Sequence, residues 1–286
     1  MVVELLAKTC LREERIKAIK EMNKDIAVEI FLKHEMEGDR GLNSYITGEL
    51  VRNVDIRAIH TPSFHGHDTC IEYPGSKDIL CKLCEVAQQV AEKKWHSVIV
   101  TVGHSLTWNQ LKYSGRLQET INLLKFLATE YPSVEIALEN PVHGEYIDDV
   151  PYYTNVYLAE SVDNLNVGTC LNISNALTQI HTFGLLKEYK STEVLNIRSF
   201  VQRNSAVCKL LRLANASDRG SGYGKDLGSK SMFLSKNIHD VRNFSDVTNA
   251  YKDSRMRAPI VVDVEDTHLT SVANLRSVLN LLREIE

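Results

Sequence analysis

Short apolar runs rich in valine and isoleucine alternate along the chain with longer stretches whose apolar positions recur every three to four residues. The short runs read as strands, several of them apolar at consecutive positions as buried parallel strands are, and the longer stretches read as amphipathic helices. The strand candidates are Val2–Ala7, Ile26–Phe31, Ile56–His60, Ser97–Val102, Val134–Glu139, Asn166–Leu171, Lys209–Ala214 and Pro259–Val264. The helical candidates are Arg12–Met22, Leu42–Asn53, Asp78–Lys93, Leu106–Glu130, Asp148–Ser161, Thr192–Asn204, Ile238–Arg255 and Thr270–Glu286. These β-α units, with no Pro/Gly/Ser-rich linker between halves, predict an α/β fold: a single (β/α)8 TIM barrel domain over residues 1–286. A doubly wound sheet would ask for a glycine-rich turn after its first strand, and Lys8-Thr9-Cys10-Leu11-Arg12 has none.

In such a barrel the chemistry gathers at the C-terminal strand ends and the loops that follow them. Polar residues cluster at those places here. They are Thr9; Glu29 and Lys33; His60, Thr61, His65, His67 and Asp68; Thr101 and His104; Glu139, Asn140 and His143; Asn172 and Asn175; Asn215 and Asp218; and Asp263, Glu265 and Asp266.

The strings AIHTP, IALENP, VGTCLNISNAL, LRLANASD and APIVVDVED, in this order, resemble the xylose isomerase-like TIM barrels. That superfamily includes sugar isomerases, sugar epimerases and apurinic endonucleases, and the resemblance covers nearly the whole chain. It implies that His60 falls on the family's third-strand histidine and Glu139 on its fifth-strand metal carboxylate. Asp218 falls on the seventh-strand acid, and Asp263 or Glu265 on the eighth-strand carboxylate. The chain departs from the pattern elsewhere. Asn172 and Asn175 stand where the family has Asp-x-x-His, Asn215 where it has the seventh-strand histidine, and Thr101 where the endonuclease branch has its fourth-strand histidine. Asparagine offers a divalent ion only a neutral carbonyl oxygen. The expectation is therefore a degenerate site holding no metal, or a weakly held Mg, Mn or Zn ion on Glu139 and Asp263.

The implied chemistry is that of a sugar isomerase or epimerase acting on, or binding, a small hydroxylated ligand with or without a phosphate. Glu139 and Asp263 are its expected acid/base pair, one carboxyl removing a proton from carbon and the other returning it. Without a metal, an enediolate would need a cation from Lys33, Arg212 or Arg219. The expected ligand-binding residues are His60, His104, Asn140, Asn172, Asn175, Asn215, Asp218, Arg219 and Lys225. The last three flank or belong to a glycine-rich loop, Asp218 to Gly228, whose backbone N–H groups could face an anion. A relocated metal site on His65, His67, Asp68, His104 and Glu139 is a further option. The alternative function is a non-catalytic, regulatory or ligand-binding barrel, a pseudoenzyme whose asparagines hydrogen-bond to one another.

Composition removes other classes. With 33 Lys and Arg against 37 Asp and Glu, and no basic block, the chain lacks the cationic surface of a nucleic-acid binder, which also disfavours the endonuclease branch. No apolar run reaches membrane-span length and the N-terminus meets charge too early for a signal peptide, so a cytoplasmic protein is expected, with a homo-oligomer compatible with the pattern. Six scattered cysteines suit reduced thiols, and Cys81-x-x-Cys84 reads as apolar positions on a helix face. Trp95, before the fourth strand, is expected to pack. Trp108, after it, is a candidate pocket wall.

Overall fold

In the computed structural model, eight parallel strands hydrogen-bond in sequence order and the eighth returns to the first, closing the barrel. The structure describes residues 3–9, 12–31, 54–61, 70–103, 106, 108–140, 154–177, 197–213, 238–263 and 272–283. The strands are β1 (Leu5–Thr9), β2 (Ala27–Phe31), β3 (Ile56–His60), β4 (Val98–Gly103), β5 (Val134–Glu139), β6 (Val167–Asn172), β7 (Cys208–Leu213) and β8 (Ile260–Val262). Seven of them fall within a predicted strand or overlap most of it, and β1 shares only residues 5–7 with the predicted Val2–Ala7. The main shift is in β1, which runs past Ala7 to Thr9 and so carries Lys8 inside the sheet.

The helices are α1 (Glu13–Met22), α2 (Ser76–Lys94), α3 (Trp108–Tyr113), α4 (Leu117–Glu130), α5 (Thr154–Val162), α6 (Ile197–Asn204), α7 (Ile238–Asp253) and α8 (Ala273–Arg283). Their apolar stripes cover the outward strand faces, where Val28, Ile30, Val100, Leu138, Leu211 and Val262 join one buried cluster with Ile19, Leu83, Leu124, Leu158 and Leu279. Full burial of each such side chain is worth about 1.5–3 kcal/mol, so the helix layer and barrel hold each other in place. The predicted helix over residues 42–53 lies outside the described residues. Among the described residues no helix is long and apolar enough to cross a membrane.

One predicted helix, Leu106–Glu130, is two. Gly115 takes a positive φ of 73°, its N–H donates to Lys112 O at 3.2 Å, and Arg116 N donates to Leu111 O at 3.0 Å. That bond pair caps α3, and only glycine adopts the left-handed turn without strain. Trp95 corrects an expectation. It does not pack: it is 94% exposed, with a left-handed backbone (φ 60°) at the end of α2. Cys84, on the inner face of α2, is fully buried and burial pushes its thiol up to about 12, as expected of an apolar helix-face residue.

Gly168 in β6 is fixed by close approach. A Cβ there would lie 2.2 Å from Val207 O and 2.6 Å from Lys209 Cγ. Gly168→Ala should therefore lower stability by about 1–3 kcal/mol, the usual cost of overpacking, because backbone rather than a flexible tip must give way. Urea unfolding midpoints measure it, and an unchanged midpoint would show that β6 and β7 can part there freely.

Candidate active site at the barrel mouth

The inside of the barrel is built in two tiers. The lower one is an apolar plug to which each strand contributes a single residue: Leu6, Ala27, Ala58, Ile99, Ala137, Cys170, Leu210 and Val261. Side chains along a strand return to the same face every second residue, so the next inward position is two residues toward the C-terminal mouth. Those positions hold Lys8, Glu29, His60, Thr101, Glu139, Asn172, Arg212 and Asp263. All eight are polar. The strand register sets Lys8 opposite Glu29, His60 opposite Thr101 and Asn172 opposite Arg212, and staggers others by two residues, with Glu29 opposite Ala58, Glu139 opposite Gly103 and Cys170, and Arg212 opposite Val261.

Arg212 is the centre of this tier. Its side chain is completely buried, Nη1 donates to Glu139 Oε2 at 2.5 Å, and Nη2 donates to Glu29 Oε1. Glu139 Oε2 also takes a bond from His60 Nε2 at 2.9 Å, and Oε1 takes one from Asn172 Nδ2 at 2.5 Å. The other ring nitrogen of His60, Nδ1, donates to Thr61 O at 2.6 Å. Both ring nitrogens of His60 thus lie against oxygens, one of the Glu139 carboxylate and one of the backbone. Burial alone would push the Glu139 carboxyl up, but the Arg212 and His60 charges and the bonds from His60 and Asn172 hold it well below the usual carboxylate range.

A second pair closes the ring on the β1–β8 side: Lys8 Nζ donates to Asp263 Oδ2 at 2.6 Å, both side chains being about one-fifth exposed. Lys8 also lies 4.8 Å from the centre of the Phe31 ring, and Phe31 meets His60 edge-on with centroids 5.0 Å apart. Phe31, Lys8 and His60 therefore form a continuous wall, aromatic and cationic, on one side of the mouth.

The asparagines divide the work. Asn140 clamps strand to strand: Nδ2 donates to Asn172 O at 3.0 Å and Oδ1 accepts from Asn172 N at 2.7 Å. Asn175 Nδ2 donates to Asn140 O at 2.8 Å, and its backbone N–H reaches Asn172 Oδ1 at 3.2 Å. Asn140 and Asn175 are thus buried in the architecture beneath the mouth, their amide nitrogens given to backbone carbonyls, rather than presented to a ligand. Asn172, oriented by Asn175, points its amide nitrogen at Glu139.

Of the predicted site residues, His60, Glu139, Asn172 and Asp263 share the tier. Glu139 and Asp263 are each paired with a separate cation, Arg212 and Lys8. His104, Asn215, Asp218, Arg219 and Lys225 lie outside the described residues, as do Lys33, His65, His67, Asp68, His143, Glu265 and Asp266. The expected charge donor Arg212 shares the tier too, fully buried and bound to two carboxylates. Lys8 and Phe31 were not predicted; the signal for Lys8 was its place two residues beyond Leu6 in the inward period.

The divalent ion implied by the resemblance does not fit the described donors. Both oxygens of Glu139 are engaged, Asn172 turns a nitrogen rather than an oxygen toward it, and a guanidinium already bridges Glu139 and Glu29. Glu29 Oε2 and Thr101 Oγ1 have no hydrogen-bond partner, but one carboxylate oxygen beside a fixed cation is a poor ion site. Among the described residues no group of three or more His, Cys, Asp or Glu is placed to share a metal ion.

No family model and no curated sequence matches the chain. Solved structures do. The 3-keto-D-glucoside 4-epimerase of E. coli in its apo form superimposes with a TM-score of 0.62 at 11% identity, over 99% of this chain and 100% of that one. The shared fold is the TIM barrel, as it also is with a xylose isomerase-like TIM barrel/4-hydroxyphenylpyruvate dioxygenase fusion protein (TM-score 0.53, 15% identity, 92% of this chain and 39% of that one). A family 2 AP endonuclease from Brucella melitensis (TM-score 0.60, 10% identity, 96% of this chain and 99% of that one) shares it. So does a D-tagatose 3-epimerase-like protein (0.58, 14% identity, 98% of each chain). Within this TIM barrel, the two-tier interior locates the mouth above Arg212 as the candidate site.

Proposed function

We propose that this barrel binds a small polyhydroxylated ligand of the sugar kind at its C-terminal mouth, and does so through protein groups alone. The observation that carries the reading is the closed polar tier. Three basic side chains (Lys8, His60 and Arg212) face three carboxylates (Glu29, Glu139 and Asp263), so the acidic groups of the ring are each matched by a basic partner. A neutral polyol suits such a ring, because hydroxyls both donate and accept and can exchange with its outermost bonds. The wall of Phe31 suits the C–H face of a sugar. His60, Asp263 and Lys8 would touch the ligand; Arg212, Glu29 and the asparagines would hold them in position.

Isomerase or epimerase chemistry is the second reading. It is favoured by the Lys8–Asp263 pair, in which a part-exposed carboxylate and ammonium lie 2.6 Å apart at the mouth. Asp263 would remove the proton from carbon, and Lys8 or His60 would face the developing oxyanion. Glu139 is the weaker candidate base, since a carboxylate held well below its ordinary range binds a proton reluctantly.

The test is ligand-observed NMR and thermal shift with aldoses, ketoses, polyols and their phosphates, followed by deuterium uptake from heavy water into any ligand that binds. Saturable binding abolished by Lys8→Ala and Asp263→Asn without loss of fold is expected. Binding without exchange identifies a binding barrel, and exchange identifies an enzyme. No binding across the panel would remove both readings.

A further inference from the structure

Arg212 is the largest fully buried side chain in the molecule as described, and it lies where the two innermost carboxylates converge. We propose that Arg212 is the resident cation of this barrel: its guanidinium holds Glu29 and Glu139 together as a divalent ion otherwise would, and so closes the barrel to metal. The proposal rests on the reading of the mouth as a ligand site, for which Arg212 is a positioning residue rather than a contact.

Three features beyond charge support the exchange. The guanidinium presents two separate N–H arms, Nη1 to Glu139 and Nη2 to Glu29, so it bridges carboxylates from β5 and β2 as a shared ion does. A lysine, with one nitrogen, could not span them in the same way. The neighbouring strand-end amide is turned to match. Asn172 Oδ1 accepts from Asn175 N, which commits its Nδ2 to Glu139 and leaves no free oxygen toward an ion. Finally, His60 donates to the same Glu139 oxygen as Arg212, so two N–H donors converge on the lone pairs a metal would need.

The experiment uses the full chain and two probes, Mn2+ followed by electron paramagnetic resonance and methylguanidinium at millimolar concentration, with thermal unfolding read in both. The wild type should leave Mn2+ free and its melting temperature unmoved by either probe. Arg212→Ala should bind Mn2+ at least about tenfold more tightly than the wild type, since two carboxylates then face an unfilled space. Each probe should also raise the melting temperature of the variant, and each should blunt the effect of the other.

Stoichiometric Mn2+ binding by the wild type that disappears in Glu139→Gln would overturn the proposal, as would a folded Arg212→Ala protein that responds to neither probe. Should Arg212→Ala not fold by itself, folding induced by either probe supports the proposal and folding induced by neither overturns it. Neither probe is a sugar. A chain that binds sugars and also holds Mn2+ on Glu139 would defeat this inference alone, whereas one that binds neither would defeat only the ligand reading.

Discussion

Replacing Arg212 by methionine is expected to lower the unfolding free energy at pH 7 by about 3–5 kcal/mol, the range found when one member of a buried ion network is removed. Methionine approximates the volume of the arginine stem, so little of the loss arises from a cavity. The loss comes from the partners. Glu29 is fully buried and has no other hydrogen-bond partner for its second oxygen, and Glu139 would retain only His60 and Asn172. Two carboxylates deprived of their shared cation must stay charged in a poor solvent or take up protons. Neutralising them together should reverse the effect, so the triple variant Glu29→Gln, Arg212→Met, Glu139→Gln should recover at least half of the loss. Urea unfolding of the single and triple variants measures both. A single-variant loss below about 1 kcal/mol would mean that the carboxylates do not depend on Arg212.

The architecture was legible because a parallel barrel writes its buried strands as unbroken apolar runs, and VIV at 98–100 or IVV at 260–262 has no other reading at this spacing. The site was half legible. Glu139 and His60 end their strands and were visible as strand ends, but the tier is defined by the inward period and not by where a strand stops. A lone charge inside an apolar run, as Glu29 in AVEIF and Arg212 in LLRLA, was the available mark of an inward polar residue. The string LRLANASD instead marks Asn215, which lies beyond the described end of β7. Lys8 was read as the turn after a strand ending at Ala7, and the strand's two further residues change which face it occupies. The pairing itself could not be read: Arg212 meets partners 73 and 183 residues away, and only closure of the barrel decides which cation reaches which carboxylate.

Glu139→Gln should both weaken the protein at neutral pH and flatten its response to acid. Removing this charge leaves Arg212 and His60 with one carboxylate fewer, again a loss of about 3–5 kcal/mol at pH 7 by the same buried-pair argument. The acid response follows from linkage. Burial opposes ionisation of Glu139, yet Arg212, His60 and the bonds from His60 and Asn172 hold its folded-state affinity for protons well below that of an ordinary carboxylate at 4.5. The unfolded chain therefore binds this proton at a higher pH than the folded one does. The stabilisation is fully present above about pH 5, and is lost as the pH falls through 4.5 toward the lower folded-state value. The wild type should accordingly show a stability curve that steepens below pH 4.5, and Glu139→Gln, having no carboxyl to titrate there, should show a shallower one. Chemical unfolding at half-unit intervals between about pH 3 and 7 compares the two slopes. Parallel curves would show that the acid limb belongs to other carboxylates and that Glu139 is not the group through which the inner ring is coupled to protons.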